Sequence, residues 1–218
     1  MSDLAEIRAR VQKKVWDLTQ AVWSQEILDE AIRSALDAYS RVLPQAASAV
    51  VTLEAPGREL DLFMLDGLLS VSRVYWPYDS SREIWPPNRV RGFRLEWIAN
   101  VPLLTLTAWD GTQPQAGDEL KIWYTCRHTI EDLDLADESS LPEIHESLLA
   151  LGAAGYAVAG RGLDLLRISE IDPDLVSKYE RWAERRLGEF RAELEALRGE
   201  AARAGESWGE GWRMDKWE

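Results

Sequence analysis

Only three side chains in this 218-residue chain are both scarce and suited to nucleophilic or metal chemistry: Cys126, His128 and His145. Cys126-Arg127-His128 puts two metal ligands close together on a predicted strand. A zinc site needs three or four ligands, and no second Cys or His pair is present. His145 falls in the first turn of a predicted helix beside Glu143 and Glu146, which reads as a surface histidine in a charged turn. Asp132, Asp134 and Glu143 stand at positions one, three and twelve of a calcium loop. Ala136 at position five and Asp137 at position six, where the turn needs glycine, spoil that match. The segment reads better as a solvated acidic linker. There is no phosphate-binding glycine loop, dinucleotide fingerprint or nucleophile elbow. Carboxylate pairs carry no information in a chain with 38 acidic residues. The expectation is a protein that is not an enzyme and uses no cofactor or metal, with a metal-dependent hydrolase built on the acidic block as the catalytic alternative.

The sharper signals concern surfaces. Between Thr129 and Gly160 there are seven acidic residues and no Lys or Arg. Asp132, Asp134, Asp137 and Glu138 are therefore candidate contacts to a neighbouring subunit. Arg82, Arg89, Arg91 and Arg94 cluster in and after a turn-rich loop and are their candidate complement. Plain solvation of the acidic block is the competing reading. Near the C-terminus Trp208, Trp212 and Trp217 are spaced by glycine and charge. That pattern suits a flexible arm whose aromatic anchors order on a partner. The alternative is that they fold back on the last helix beside Trp182.

These residues must be carried by an α+β scaffold. Asp3 and Glu6 form a capping-box-like start, with Leu4, Ile7, Val11 and Val15 on one face. Ser24 is the predicted N-cap of a second helix, whose apolar face holds Leu28, Ile32, Ala35 and Tyr39 and which ends at Pro44. Alternation then predicts strands over Val50–Glu54, through Leu60 and Leu62, Ser70–Trp76, Phe93–Trp97, Leu104–Trp109 and Leu120–Cys126, the last two as a pair. The connection from Pro77 to Gly92, with Pro86-Pro87, is expected to project from the sheet.

A third helix is expected from Ser140-Leu141-Pro142-Glu143, with Ile144, Leu148, Leu151, Gly155 and Val158 on its packing face and Gly160 and Gly162 as its stop. Asp172-Pro173-Asp174 opens a longer one to about Ala204, ~50 Å long. Ala183, Leu187, Phe190, Leu194, Leu197 and Ala201 form its seam. The expected organisation is N-terminal helices over 1–46, an inserted antiparallel β domain over 47–128, two further helices over 129–204 that complete a four-helix framework, and a flexible tail over 205–218.

Composition narrows the function. The formal charge of −13 argues against a protein that grips phosphate backbones, which takes clustered Lys and Arg. It leaves open an acidic wall past which a duplex slides. No apolar run is long enough to span a bilayer, and Met1–Glu6 lacks the pattern of a signal peptide. A single cysteine fits a reducing cytoplasm. Eleven tryptophans against three phenylalanines is an excess of the residue most enriched where proteins meet.

The order of elements, with four stretches of residues, resembles the head-to-tail connector (adaptor or neck) family of tailed bacteriophages. Trp23-Ser24-Gln25-Glu26-Ile27-Leu28 with Ala31-Ile32 is similar to the opening of that family's second helix. Val51–Leu62 resembles its strand–turn–strand, and Leu69–Trp76 the strand that follows. Leu141-Pro142-Glu143-Ile144-His145-Glu146-Ser147-Leu148-Leu149 is similar to the start of its third helix, with the histidine one residue early. The likeness spans roughly residues 10 to 200. It implies a structural virion protein, made in the host cytoplasm and placed at the head–tail junction. Such subunits form a homo-oligomeric ring, commonly a dodecamer, beneath the portal protein. The ring surrounds a channel for passing double-stranded DNA, bound without sequence preference, and offers a surface to a downstream neck or tail-completion protein. The resemblance also makes Trp208, Trp212 and Trp217 the candidate portal-binding segment. No membrane partner is expected. The alternatives are a tail-completion or terminator protein and a DNA-packaging accessory protein.

Overall fold

The structure, a computed structural model, describes residues 2–16, 23–81, 89–108, 113–166 and 173–210, with backbone alone for 108, 163–166, 173 and 204–210. The chain is α+β and forms two compact units: Met1–Leu43 with His128–Glu218, and Pro44–Arg127.

The first unit is helical. α1 spans Leu4–Val15; the Asp3 carboxylate caps it by accepting the Glu6 N–H, and Trp16 closes it in the left-handed region at φ 58°. α2 spans Gln25–Val42, capped by the Ser24 hydroxyl on the Ile27 N–H. The expected caps and faces of both helices are present. A 3-10 turn, Glu143–His145, leads into α3, Glu146–Leu166, and α4 runs Pro173–Glu210. α3 is the hub and packs on α1, α2 and α4. Ile7, Val11, Leu28, Ile32, Tyr39, Leu149 and Phe190 form the centre of the core. Glycine is required where α4 comes closest. A Cβ on Gly152 would lie 2.9 Å from the Phe190 ring, and one on Gly155 would lie 2.9 Å from Leu187.

Three expectations for this unit need correction. Gly160 and Gly162 do not stop α3, which continues to Leu166. A helical glycine costs only about 1 kcal/mol, and the chain beyond Gly160 still packs: Gly162 is buried, with a Cβ there lying 3.9 Å from Tyr179. Ile144 lies on the exposed side of the 3-10 turn and not on the packing face, because three residues per turn rotates it off the α-helical stripe. α4 also runs on to Glu210, past its expected end near Ala204. Gly205 is an isolated weak helix former followed by Glu206 and Ser207, with no proline to end the run.

The second unit is all β: β1 Gln45–Thr52, β2 Glu59–Asp61, β3 Leu68–Tyr78, β4 Gly92–Ile98, β5 Val101–Ala108 and β6 Glu119–Cys126. Instead of one sheet there are two three-stranded antiparallel sheets, β1-β6-β3 and β2-β5-β4. The expected β5–β6 pair does not form, since each is the centre of a different sheet. The inward faces share one core, with Val51, Val74, Trp76, Leu120 and Ile122 from the first and Leu60, Leu104 and Leu106 from the second. β1 begins earlier than its alternation suggested. Ala46, Ala47 and Ser48 have little strand preference of their own, but they pair with Thr125, Tyr124 and Trp123. β4 and β5 are joined by a two-residue turn, Ala99-Asn100, with both φ values positive.

Candidate functional site

Both histidines are engaged by neighbours within the helical unit. His128 is buried, and its backbone N–H donates to the Ser40 hydroxyl at 3.0 Å. Its Nε2 lies 3.1 Å from the Leu43 carbonyl, while Nδ1 lies 3.0 Å and 3.1 Å from the Ser140 carbonyl and hydroxyl. Burial lowers its pKa below the ordinary imidazole value. A neutral ring has one N–H for the two carbonyls; when Nε2–H donates to Leu43, Nδ1 accepts from the Ser140 hydroxyl. His145 is half-buried instead of being a free surface group: its Nδ1 is 2.5 Å from the Tyr39 hydroxyl. Burial pushes the Tyr39 phenol up to about 12, so it stays protonated and donates. Tyr39 also meets the His128 ring edge-on at 5.2 Å. Cys126 is buried, which raises its thiol pKa. Among the described residues no three His, Cys, Asp or Glu side chains are placed to hold a metal ion.

The acidic connection after His128 is tightly built. The Thr129 N–H donates to the Ser140 hydroxyl and the Thr129 hydroxyl to the Glu138 carbonyl, at 2.8 and 2.7 Å. Asp134 is occupied within the chain. Arg33 grips it with Nε and Nη2 at 2.9 and 2.6 Å and also reaches Glu30. The hydrogen bond from Arg33 lowers the Asp134 carboxyl pKa. Both partners are substantially exposed, so the pair contributes at most about 1 kcal/mol. What it fixes is loop shape. Asp132, Asp134 and Leu135 all hold positive φ, and Leu135 projects 97% exposed. Asp137 and Glu138 are both exposed. A separate network surrounds the buried carboxylate of Glu146, which accepts from the Ser2 N–H at 2.9 Å, the Ser2 hydroxyl at 2.8 Å and Arg10 at 2.9 Å. Sequence reasoning missed it, although a glutamate opening an apolar helix is the signal that could have pointed there.

Of the candidate arginines, Arg82 lies outside the described residues. Arg89 and Arg91 are exposed, and Arg89 forms an isolated bridge with Tyr75. Arg94 is exposed and pairs with Glu96 at 2.9 Å. Arg89, Arg91 and Arg94 belong to the β unit and the acidic group to the helical unit. The outward face of β1-β6-β3 carries Arg73, Tyr75, Tyr78, Lys121 and Trp123, with the Lys121 ammonium 5.3 Å from the Tyr78 ring centre and 5.7 Å from that of Trp123. One end of the other sheet is apolar and exposed: Trp97, Ile98 and Val101 around the hairpin turn, with Phe63 and Met64 just after β2.

The six tryptophans with described side chains divide by environment. Trp23 and Trp76 are core, Trp182 is half-buried, and Trp16, Trp97 and Trp123 are exposed. Trp208 lies on α4 with only its backbone described, and Trp212 and Trp217 lie outside the described residues. Trp16, Trp23, Tyr179 and Trp182 line a cleft of about 310 Å³ together with Lys14, Val15, Val158 and Lys178. Nothing in the sequence pattern brought these residues together, since they come from α1, the residue before the α2 cap, α3 and α4.

No family model matches the chain, and no curated protein does. Among solved structures it is similar to a chain from the neck of an empty GTA particle computed with C6 symmetry, at 18% identity and TM-score 0.32, covering 81% of this chain and 87% of that one. It is also similar to a chain from the virion of a native gene transfer agent particle, at 20% identity and TM-score 0.31, with 82% and 87% covered.

Proposed function

We propose that this protein is a structural subunit of the head–tail junction of a tailed-phage-like particle, an adaptor whose copies form a ring below the portal and present a docking surface to the next component. The observation that carries the reading is the position of the connector-like motifs on the folded chain. The Trp23–Leu28 stretch opens α2, and the Leu141–Leu149 stretch forms the turn into α3. Between them a β unit is inserted into a framework of four helices. The surface chemistry supports the same reading. Large apolar side chains stand exposed in both units, among them Trp16, Leu135, Phe63, Trp97 and Ile98. A protein that works by being covered needs such anchors.

Charge supports a passive DNA channel. The helical unit holds 17 Lys and Arg against 28 Asp and Glu, the β unit eight against ten. An acidic helical wall lets a duplex pass without holding it. Electron cryomicroscopy of the purified chain mixed with its cognate portal tests the proposal. A ring of this protein under the portal is the expected result. No binding to the portal, with binding to a tail tube instead, would replace the adaptor role by tail completion.

A further inference from the structure

We infer that the aromatic cleft between the end of α1 and the start of α4 is a socket for the tryptophan-bearing C-terminal segment of a second copy of this chain. Four aromatic side chains, Trp16, Trp23, Tyr179 and Trp182, enclose it, and Lys14 and Lys178 stand on its rim. Trp16 is the telling residue. It holds a left-handed backbone conformation that favours glycine or asparagine, and 92% of its surface is exposed. A tryptophan kept in a costly conformation to line an open cleft points to an occupant.

The chain itself supplies a segment of matching chemistry. Residues 205–218 hold Trp208, Trp212 and Trp217, with Glu206, Glu210, Asp215 and Glu218 against Arg213 and Lys216. Aromatic side chains flanked by net negative charge suit an aromatic cleft with a lysine rim. Length then decides whose tail it is. From Trp182 to the end of α4 at Glu210 the helix covers ~42 Å. The seven residues from Gly211 to Trp217 span at most ~24 Å when fully extended. While α4 keeps its length, residues 211–217 are too few to reach back to their own socket. A neighbour's tail has no such limit. The contact is heterologous, one copy's tail in the next copy's socket, and such contacts generate rings or filaments. This goes beyond the neck reading by naming the tail's partner as the same chain in place of the portal.

The test uses two full-length variants. The tail variant carries W208A, W212A and W217A; the socket variant carries Trp16→Ala and Lys178→Glu, both at exposed side chains. Unchanged far-ultraviolet circular dichroism establishes that each folds. Sedimentation velocity should find each variant alone monomeric and an equimolar mixture forming a one-to-one dimer, because one supplies the tail and the other the socket. A fluorescein-labelled peptide of residues 205–218 should bind the tail variant saturably, with affinity at least tenfold weaker once the socket substitutions are added. No saturable binding, or equal binding with the socket altered, overturns the inference. So does a mixture that stays monomeric. A tail that binds the portal and not the socket also overturns it, while leaving the adaptor reading standing.

Discussion

His128 joins three segments of the helical unit through one ring and one backbone N–H. It ties the last turn of α2, through Ser40 and Leu43, to Ser140 ahead of α3. Its folded pKa lies below the ordinary value near 6.5, so the folded state prefers the neutral ring. The stability this confers is fully present above pH 6.5 and falls as pH drops from there through the folded pKa, where the unfolded chain takes up the proton first. Urea midpoints at pH 7.5 and 5.5 should show that loss, and His128→Gln should flatten it. The depressed carboxyl of Asp134 acts only below pH 3.8 and does not overlap this window. Leu135 offers a second residue-scale test. An exposed leucine at φ 65° is strained, and Leu135→Asn should raise stability by up to ~1 kcal/mol in urea titrations. Under the adaptor reading the same change should weaken assembly. None of this was legible from spacing. The partners of His128 lie 12 to 88 residues away, and short-range pattern carries no record of such contacts.

At the scale of elements, local chemistry was a good guide wherever the cause was local. Asp3 and Ser24 cap the helices they were expected to cap, and Pro44 follows the end of α2, because a cap or a proline acts within one turn. Local reading failed where packing decides. The glycines of α3 separate the two effects. Gly160 has open space where a Cβ would go, so Gly160→Ala should stabilise by about 0.5–1 kcal/mol through helix propensity alone. Gly152 faces the Phe190 ring at 2.9 Å, and Gly152→Ala should destabilise by about 1–3 kcal/mol through overpacking. Thermal or urea unfolding of the two variants reads opposite signs from the same substitution on one helix. Strand pairing was the other failure. Alternation found six extended segments but said nothing about which paired, so β5 and β6 were joined when the fold sends them to different sheets.

For the whole molecule, the way the β unit is attached matters more than its size. Its first and last strand residues, Gln45 and Cys126, are paired partners on adjacent strands, so their Cα atoms are about 5 Å apart. Within the helical unit, Leu43 and His128 are likewise joined at 3.1 Å. Deleting residues 44–127 and bridging Leu43 to His128 with two or three glycines should leave a soluble helical protein with a cooperative thermal transition, measured by circular dichroism. A molten product would mean the helical core needs the insert. The overall division into helices and an inserted β segment could be read from the change in period along the chain, whereas the closeness of the insert's ends could not. That closeness has a consequence for descent. A segment that leaves and re-enters its host at one point behaves as a cassette. Recombination can exchange it for any fold with neighbouring ends, so the surface it displays can diverge rapidly while the helices, and whatever assembly they build, are inherited unchanged.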